Sequence, residues 1–361
     1  MKRLLLILLL APMFTFAQKP QNENTSKVIL ITIDGLRWQE LFSGADKDLI
    51  SNNFYVQHPN QLKDIFWDDN NLERRKKLMP FVWNSIKEMG QMHGNRLVGS
   101  KMDLTNKHWF SYPGYSEILT GKADERIHSN DKVNNPNKTI LELSNNLSEY
   151  KGKVAAFGSW DVFPFIVNEE RSGIKVNAGF DISEGVDLTN KEFFLNELQS
   201  KIPKPWYSVR HDAFTHHYAL EYMKRTHPYL IYIAYGETDD FAHDGNYEAY
   251  LNSAHTIDSF IKDLWEFVES DSFYKGNTTL IITTDHGRGT MPLETWTDHG
   301  KDVNGADEVW VIAFGKGIKP LGEIKAKEQL YSNQIAASIA ELLNVKFNKT
   351  KIGAKFKFIA Y

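Results

Sequence analysis

Five apolar runs of strand length constrain this chain more than any other feature. They are VILITI (28–33), KVAAFG (153–158), YLIYIAY (229–235), TLIITT (279–284) and VWVIAFG (309–315). Runs without polar alternation suit strands buried on both faces. The helical patterns between them, among them LMPFVWNSIKEMG, NYEAYLNSAHTIDSFIKDLWEFVES and YSNQIAASIAELLN, supply the covering layers. The expected fold class is α/β: a doubly wound, mostly parallel central sheet with helices on both faces. Two stretches break the rhythm, residues 44–78 and residues 180–228. Both are expected to be insertions over one face of a single domain spanning 27–361, either as solvated decoration or as walls of a pocket.

The N-terminus, MKRLLLILLLAPMFTFAQ, has basic Lys2 and Arg3, an apolar stretch from Leu4 to Leu10, and Thr15-Phe16-Ala17 as a cleavage site. Residues 1–17 therefore read as a Sec-type signal peptide, too short to anchor in a bilayer. The expected location is periplasmic or secreted, with residues 18–26 a flexible lead-in. Net charge is −4 and pI about 6.3, which offers no patch for nucleic acid or an anionic membrane. The chain has no cysteine. That excludes thiolate catalysis, cysteine–zinc sites and cysteine-derived formylglycine.

Three of the apolar runs lead into aspartate: VILITI into Asp34-Gly35, YLIYIAY through Gly-Glu-Thr into Asp239, and TLIITT into Asp285-His286-Gly287. Ligands of open parallel sheets bind beyond the carboxyl ends of the strands, so these aspartates are expected to share one crevice. Crowded carboxylates repel and need protons or cations. Histidines stand close by: His243 four residues after Asp239, which is one helical face, then His286 and His299. A mixed Asp/His set suits zinc better than an all-oxygen ion. Six ligands exceed one tetrahedral shell, so two divalent ions are expected. A hydroxyl in the run FSYPGYSEILTG (110–121) sits ahead of Pro113 at the start of a helix, outside any G-x-S-x-G elbow.

The order of Asp-Gly, a hydroxyl at a helix start, Asp-x-x-x-His, Asp-His-Gly and a last His resembles the alkaline phosphatase superfamily. Its nucleotide pyrophosphatase/phosphodiesterase-like branch is the most similar, and the likeness runs from about residue 27 to 345. The resemblance implies one zinc on Asp239, His243 and His299, and another on Asp34, Asp285 and His286, completed by the oxygen of Ser111. It implies that Ser111, in Ser111-Tyr112-Pro113, is the nucleophile of a phosphoric ester hydrolase working through a phosphoseryl intermediate. A metal-bound hydroxyl needs no histidine base. Asn130, in Arg126-Ile127-His128-Ser129-Asn130, matches the family's phosphoryl-binding Asn, with a surface turn as the plainer reading.

Monoester-cleaving relatives often add a Lys-x-Arg pair that FGSWDVFPF lacks, which tilts the expectation toward diesters of small or oligomeric substrates. Arg37 and Arg288 are candidates for the same part from other positions, and Trp160 for a pocket wall. Ser111 is not followed by the x-Pro-x-Arg of formylglycine sulfatases, yet sulfate-ester or phosphonate hydrolysis by an unmodified serine stays open, as does, remotely, a non-catalytic metal-binding module. Ser116 is expected to pack or cap, Glu117, His216 and His217 to lie on helix surfaces, and Asp298 to orient His299.

Overall fold

The structure is a computed structural model that describes residues 25–347 and 353–359. The signal segment at 1–17 lies outside these residues, with most of the lead-in at 18–26. In chain order the strands are β1 (Lys27–Ile33), β2 (Gly90–His93), β3 (Ser100–Asp103), β4 (Val154–Gly158), β5 (Lys175–Ala178), β6 (Leu230–Tyr235), β7 (Thr278–Thr283), β8 (Glu308–Val309), β9 (Val311–Gly315), β10 (Gly322–Glu323) and β11 (Glu328–Tyr331). Eight form one sheet in the order β10-β2-β9-β7-β1-β6-β4-β5, and β11-β3-β8 form a smaller one.

The centre of the large sheet shows why the apolar runs are continuous. On β1, Ile29, Ile31 and Ile33 face one core while Val28 and Leu30 face the other, and the same alternation holds along β6 and β7. The first core is covered by the helices Asp212–Thr226 and Tyr247–Ser270, the second by Ser111–Thr120 and Ile335–Leu342. The apolar side chains of such a strand meet an apolar layer on either face, and a polar one needs a partner there, as Thr32 has in the Tyr232 hydroxyl (2.9 Å). β1 pairs in parallel with both β6 and β7, which places the carboxyl ends of these three strands side by side.

The sheet is mostly parallel, as expected, with an antiparallel exception at β9, which runs against both β7 and β2. A parallel return needs a crossover, usually helical. The segment after β7 holds only the short 3₁₀ turn Leu293–Thr297, so the chain re-enters the sheet from the end where it left.

Residues 44–78 fold into the helices Pro59–Phe66 and Asn71–Leu78, whose Leu62, Phe66 and Leu78 join the first core. Within 180–228, the helix Asp212–Thr226 is a covering layer packed on β4 and β6. His216 departs from its expected surface position. It is fully buried, its ring stacked on Phe260 with centroids 4.3 Å apart, and its Nδ1 lies 3.1 Å from the Tyr235 hydroxyl. His216 shares one helical face with Ala219, Leu220 and Met223, all buried in the first core, so its burial follows from the packing of that face.

Burial, with His217 and nearby lysines, pushes the His216 imidazole down to about 3. The unfolded chain, with its ordinary value near 6.5, takes up a proton that the folded protein refuses between those limits. Stability therefore falls as pH drops below about 6.5, by up to about 1.4 kcal/mol per pH unit from this residue. His216→Phe keeps the stack and should flatten that acid limb in denaturant titrations between pH 6.5 and 4.5, while the lost Tyr235 contact lowers stability at pH 8. An unchanged slope would show that His216 is not the group responsible.

Candidate metal centre

Asp34 follows the last residue of β1, and its backbone N–H donates to Tyr235 O at the end of β6 (3.0 Å). Asp285 and His286 lie just beyond β7, and Asp239 sits in the helix Glu237–His243 that follows β6. Adjacent strand ends thus deliver the three aspartates together. Two groups of ligand atoms result, each with its atoms within 4.8 Å of one another: Asp239, His243 and His299, and Asp34, Asp285 and His286.

In the deeper group, His286 Nε2 is 3.2 Å from Asp34 Oδ1 and 3.5 Å from Asp285 Oδ2. Both of those oxygens are buried without a hydrogen-bond partner. His286 Nδ1 donates to Gly287 O (2.9 Å), which orients the ring with Nε2 toward the carboxylates. In the outer group, His243 Nε2 is 3.0 Å from His299 Nε2 and 3.3 Å from Asp239 Oδ2. The groups adjoin, with His286 Nε2 3.6 Å from Asp239 Oδ1.

The electrostatics call for cations. Burial, then the charge of Asp239, pushes Asp34 well above the usual carboxylate range, and burial with Asp34 does the same to Asp285. Against the cost of burial, Arg288 and then His243 and His299 hold Asp239 well below that range. Burial, with His286, keeps His299 neutral by lowering its pKa well below the ordinary imidazole value. Orphaned acid oxygens beside imidazole nitrogens are a donor set that divalent ions satisfy, and zinc accepts both atom types.

Ser111 opens the helix Ser111–Thr120 after an extended Phe110, and its Oγ lies 3.4 Å from His286 Nε2. It shares a cleft of about 260 Å³ with Asp34, Asn130, Trp160, Asp239, His243 and His299. Asn130 lines the cleft, and its Oδ1 accepts the Tyr112 N–H (3.0 Å). Ser208 and Val209, from the 180–228 stretch, complete one wall. Asp240 also lines the cleft, where burial and then Asp239 raise its carboxyl to about 8. Ser116 packs as expected, its hydroxyl accepting from Asn135, whereas Glu117 is not on the helix surface: it is fully buried and accepts the N–H groups of Thr105 and Asn106.

Three expectations are corrected. Arg37 does not reach the cleft: its buried guanidinium pairs with Glu40 and donates to Gly289 O (3.1 Å). Arg288 is equally buried, pairing with the Asp239 carboxylate and donating to Thr297 O (2.6 Å), so it steadies a candidate ligand and does not face substrate. Asp298 does not orient His299. Its Oδ2 accepts from Thr297 (3.2 Å), and His299 Nδ1 is buried without a partner.

Four supporting residues escaped the sequence reading. Tyr115, one turn after Ser111, donates its hydroxyl to Asp34 Oδ2 (2.8 Å). Gly114 lets the helix touch the metal segment, since a Cβ there would lie 2.2 Å from Asp285 O. Both follow Ser111 at helical spacing, a signal present in SYPGY. Asp212 and Glu237 cap each other's helices: Asp212 accepts the N–H groups of Gly236 (2.8 Å) and Glu237 (3.1 Å), and Glu237 accepts the N–H of Asp212 (3.3 Å). This pair holds the helix that carries Asp239 and His243, and no local pattern announces it.

Comparisons with known proteins agree with this architecture. Residues 207–347 match the family model described as Metalloenzyme superfamily, a span that holds Asp239, His243, Asp285, His286 and His299. No curated protein sequence matches the chain. Among solved structures, the alkaline phosphatase PafA is similar with a TM-score of 0.60 at 10% identity, over 93% of this chain and 99% of that one. The lipoteichoic acid synthase LtaP from Listeria monocytogenes has a TM-score of 0.58 at 11% identity, over 94% and 77%. A phosphonate monoester hydrolase from Silicibacter pomeroyi has 0.54 at 13%, over 92% and 76%. The chain shares the fold of these solved structures, an α/β fold with a mostly parallel central sheet flanked by helices.

Gly114→Ala should drive the Ser111 helix and Asp285 apart, lowering stability by about 1–3 kcal/mol. It should also weaken zinc binding measured by calorimetry, with the far-ultraviolet circular dichroism unchanged. Wild-type zinc affinity in the variant would show that the contact does not set the ligand geometry.

Proposed function

We propose that the chain is an exported two-metal phosphoric ester hydrolase of the phosphodiesterase-like branch, with Ser111 as nucleophile and a preference for diesters. The observation that carries this reading is the placement of the Ser111 hydroxyl beside the buried Asp34–Asp285–His286 group, in a cleft whose lining, among the described residues, includes no lysine or arginine. Asp34, Asp285 and His286 would hold one ion, and Asp239, His243 and His299 the other. When bound, zinc supplies acidification of a nearby hydroxyl and neutralisation of phosphoryl charge.

The chain's own groups do the rest. Ser111 Oγ attacks phosphorus, the P–O bond to one alcohol breaks, and a phosphoseryl ester forms that water then cleaves. Ser111 stands at the first turn of its helix, where backbone N–H groups favour an anion. Asn130, its carbonyl engaged by Tyr112, offers Nδ2 to a non-bridging oxygen. Tyr115 and Thr238 hold Asp34 from either side. Arg288, fixed on Asp239, is not available to meet the second charge of a monoester.

A diester and a sulfate monoester both carry one negative charge, so the cation-poor lining also fits sulfate esters. Structures of similar fold include a 2-O GAG sulfatase as well as the phosphonate hydrolase. Rates on aryl phosphodiesters, phosphomonoesters and sulfates with zinc-loaded protein separate the readings, with the diester expected fastest. Ser111→Ala should keep the zinc content of wild type and lose turnover by roughly 10³-fold or more. Asp285→Ala should lose both zinc and turnover. A non-catalytic metal-binding protein would show no turnover to lose, and full activity in Asp285→Ala would sink the two-metal scheme.

A further inference from the structure

A second cavity of about 590 Å³ opens beside the cleft, and His299 lines both. The two are related through the chain as well. Phe110 is fully extended (φ −148°, ψ 175°), so consecutive side chains diverge: Ser111 lines the cleft and Phe110 the outer groove. An ester seated at Ser111 would therefore have one substituent directed along this groove.

The groove's walls differ in chemistry. One presents the rings of His108, Phe110 and His128. The other presents polar groups of the loop after the metal segment, among them Asp298, Lys301 and Asp302, all exposed. His108 keeps Nε2 buried without a hydrogen-bond partner, and burial holds its imidazole below the ordinary value, so it is a neutral ring with one unmet polar atom. The His108 and Phe110 rings lie 5.8 Å apart, tilted by 57°. A flat base can stack on only one of them, whereas a puckered ring can set C–H edges against both. Two carboxylates against one ammonium disfavour an anionic substituent, while acceptors and a donor suit several hydroxyls.

We infer that this groove is a subsite for a neutral, polyhydroxylated ring, the chemistry of a glycosyl unit, carried by the ester that Ser111 cleaves. The assignment rests on the hydrolase reading above and names the class of substituent that the active site takes.

The test uses zinc-loaded protein and three p-nitrophenyl phosphodiesters whose second substituent is methyl, glucos-6-yl or thymidin-5′-yl, with p-nitrophenolate release as the readout. The glucosyl ester should exceed the methyl ester in kcat/KM by about tenfold or more, chiefly through a lower KM. His108→Ala and, as an exposed position that folding tolerates, Lys301→Ala should each cut kcat/KM for the glucosyl ester several-fold more than for the methyl ester. Equal rates on the methyl and glucosyl esters, a thymidyl ester cleaved faster than the glucosyl one, or equal losses in the variants would overturn the subsite. Failure of the hydrolase reading looks different: none of the three esters is cleaved, or Ser111→Ala cleaves them as fast as wild type.

Discussion

Like-charge repulsion at the ends of three neighbouring strands is the constraint on which the rest of this protein depends. Asp34, Asp239 and Asp285 lie around the single nitrogen His286 Nε2, within 3.2 to 3.6 Å of it, and Asp34 and Asp285 are almost wholly buried. Two full charges at such spacing repel by about 4 kcal/mol at 4 Å even in an effective dielectric of about 20. Arg288 pairs directly with Asp239 and acts on Asp34 only as a lesser influence than burial and the Asp239 charge. Asp34 and Asp285 each keep a buried oxygen without a partner, the mark of a site arranged for a cation and not for protein contacts.

The scaffold is built so that this crowding does not relax. β1 is clamped in parallel between β6 and β7, and its side chains reach into a separate core on each face of the sheet. Neither strand end can retreat without disturbing both layers. Gly35 adopts φ +57°, and a Cβ there would fall 2.8 Å from Asp239 Oδ1, so the turn after Asp34 leaves room for the second carboxylate. On the opposite side, the mutual caps of Asp212 and Glu237 tie the ligand-bearing helix to a covering helix of the sheet.

The gathering of Asp34, Asp239 and Asp285 was legible in the amino-acid sequence because strand ends have a signature: an apolar run that stops in aspartate reports both where a strand finishes and what stands at its tip. The Asp-x-x-x-His spacing added the helix face. Side-chain direction was not legible. Arg37 and Arg288 follow candidate ligands by a few residues, yet each guanidinium is captured by a buried acid, Glu40 and Asp239, and proximity in sequence is silent on that choice. The antiparallel sense of β9 and the burial of His216 were hidden for the same reason, since both are decided by which surfaces meet in three dimensions. Tyr115 and Gly114 stood in plain view, at helical spacing from Ser111, but their partners Asp34 and Asp285 are distant in the chain.

The most direct measurement is calorimetric titration of chelator-treated wild-type protein with zinc at neutral pH. If the repelling carboxylates and the imidazoles beside them form two cation sites, the isotherm saturates at two ions per chain, and the melting temperature rises with each. An isotherm without saturable binding, or a melting temperature indifferent to zinc, would contradict the account at its root.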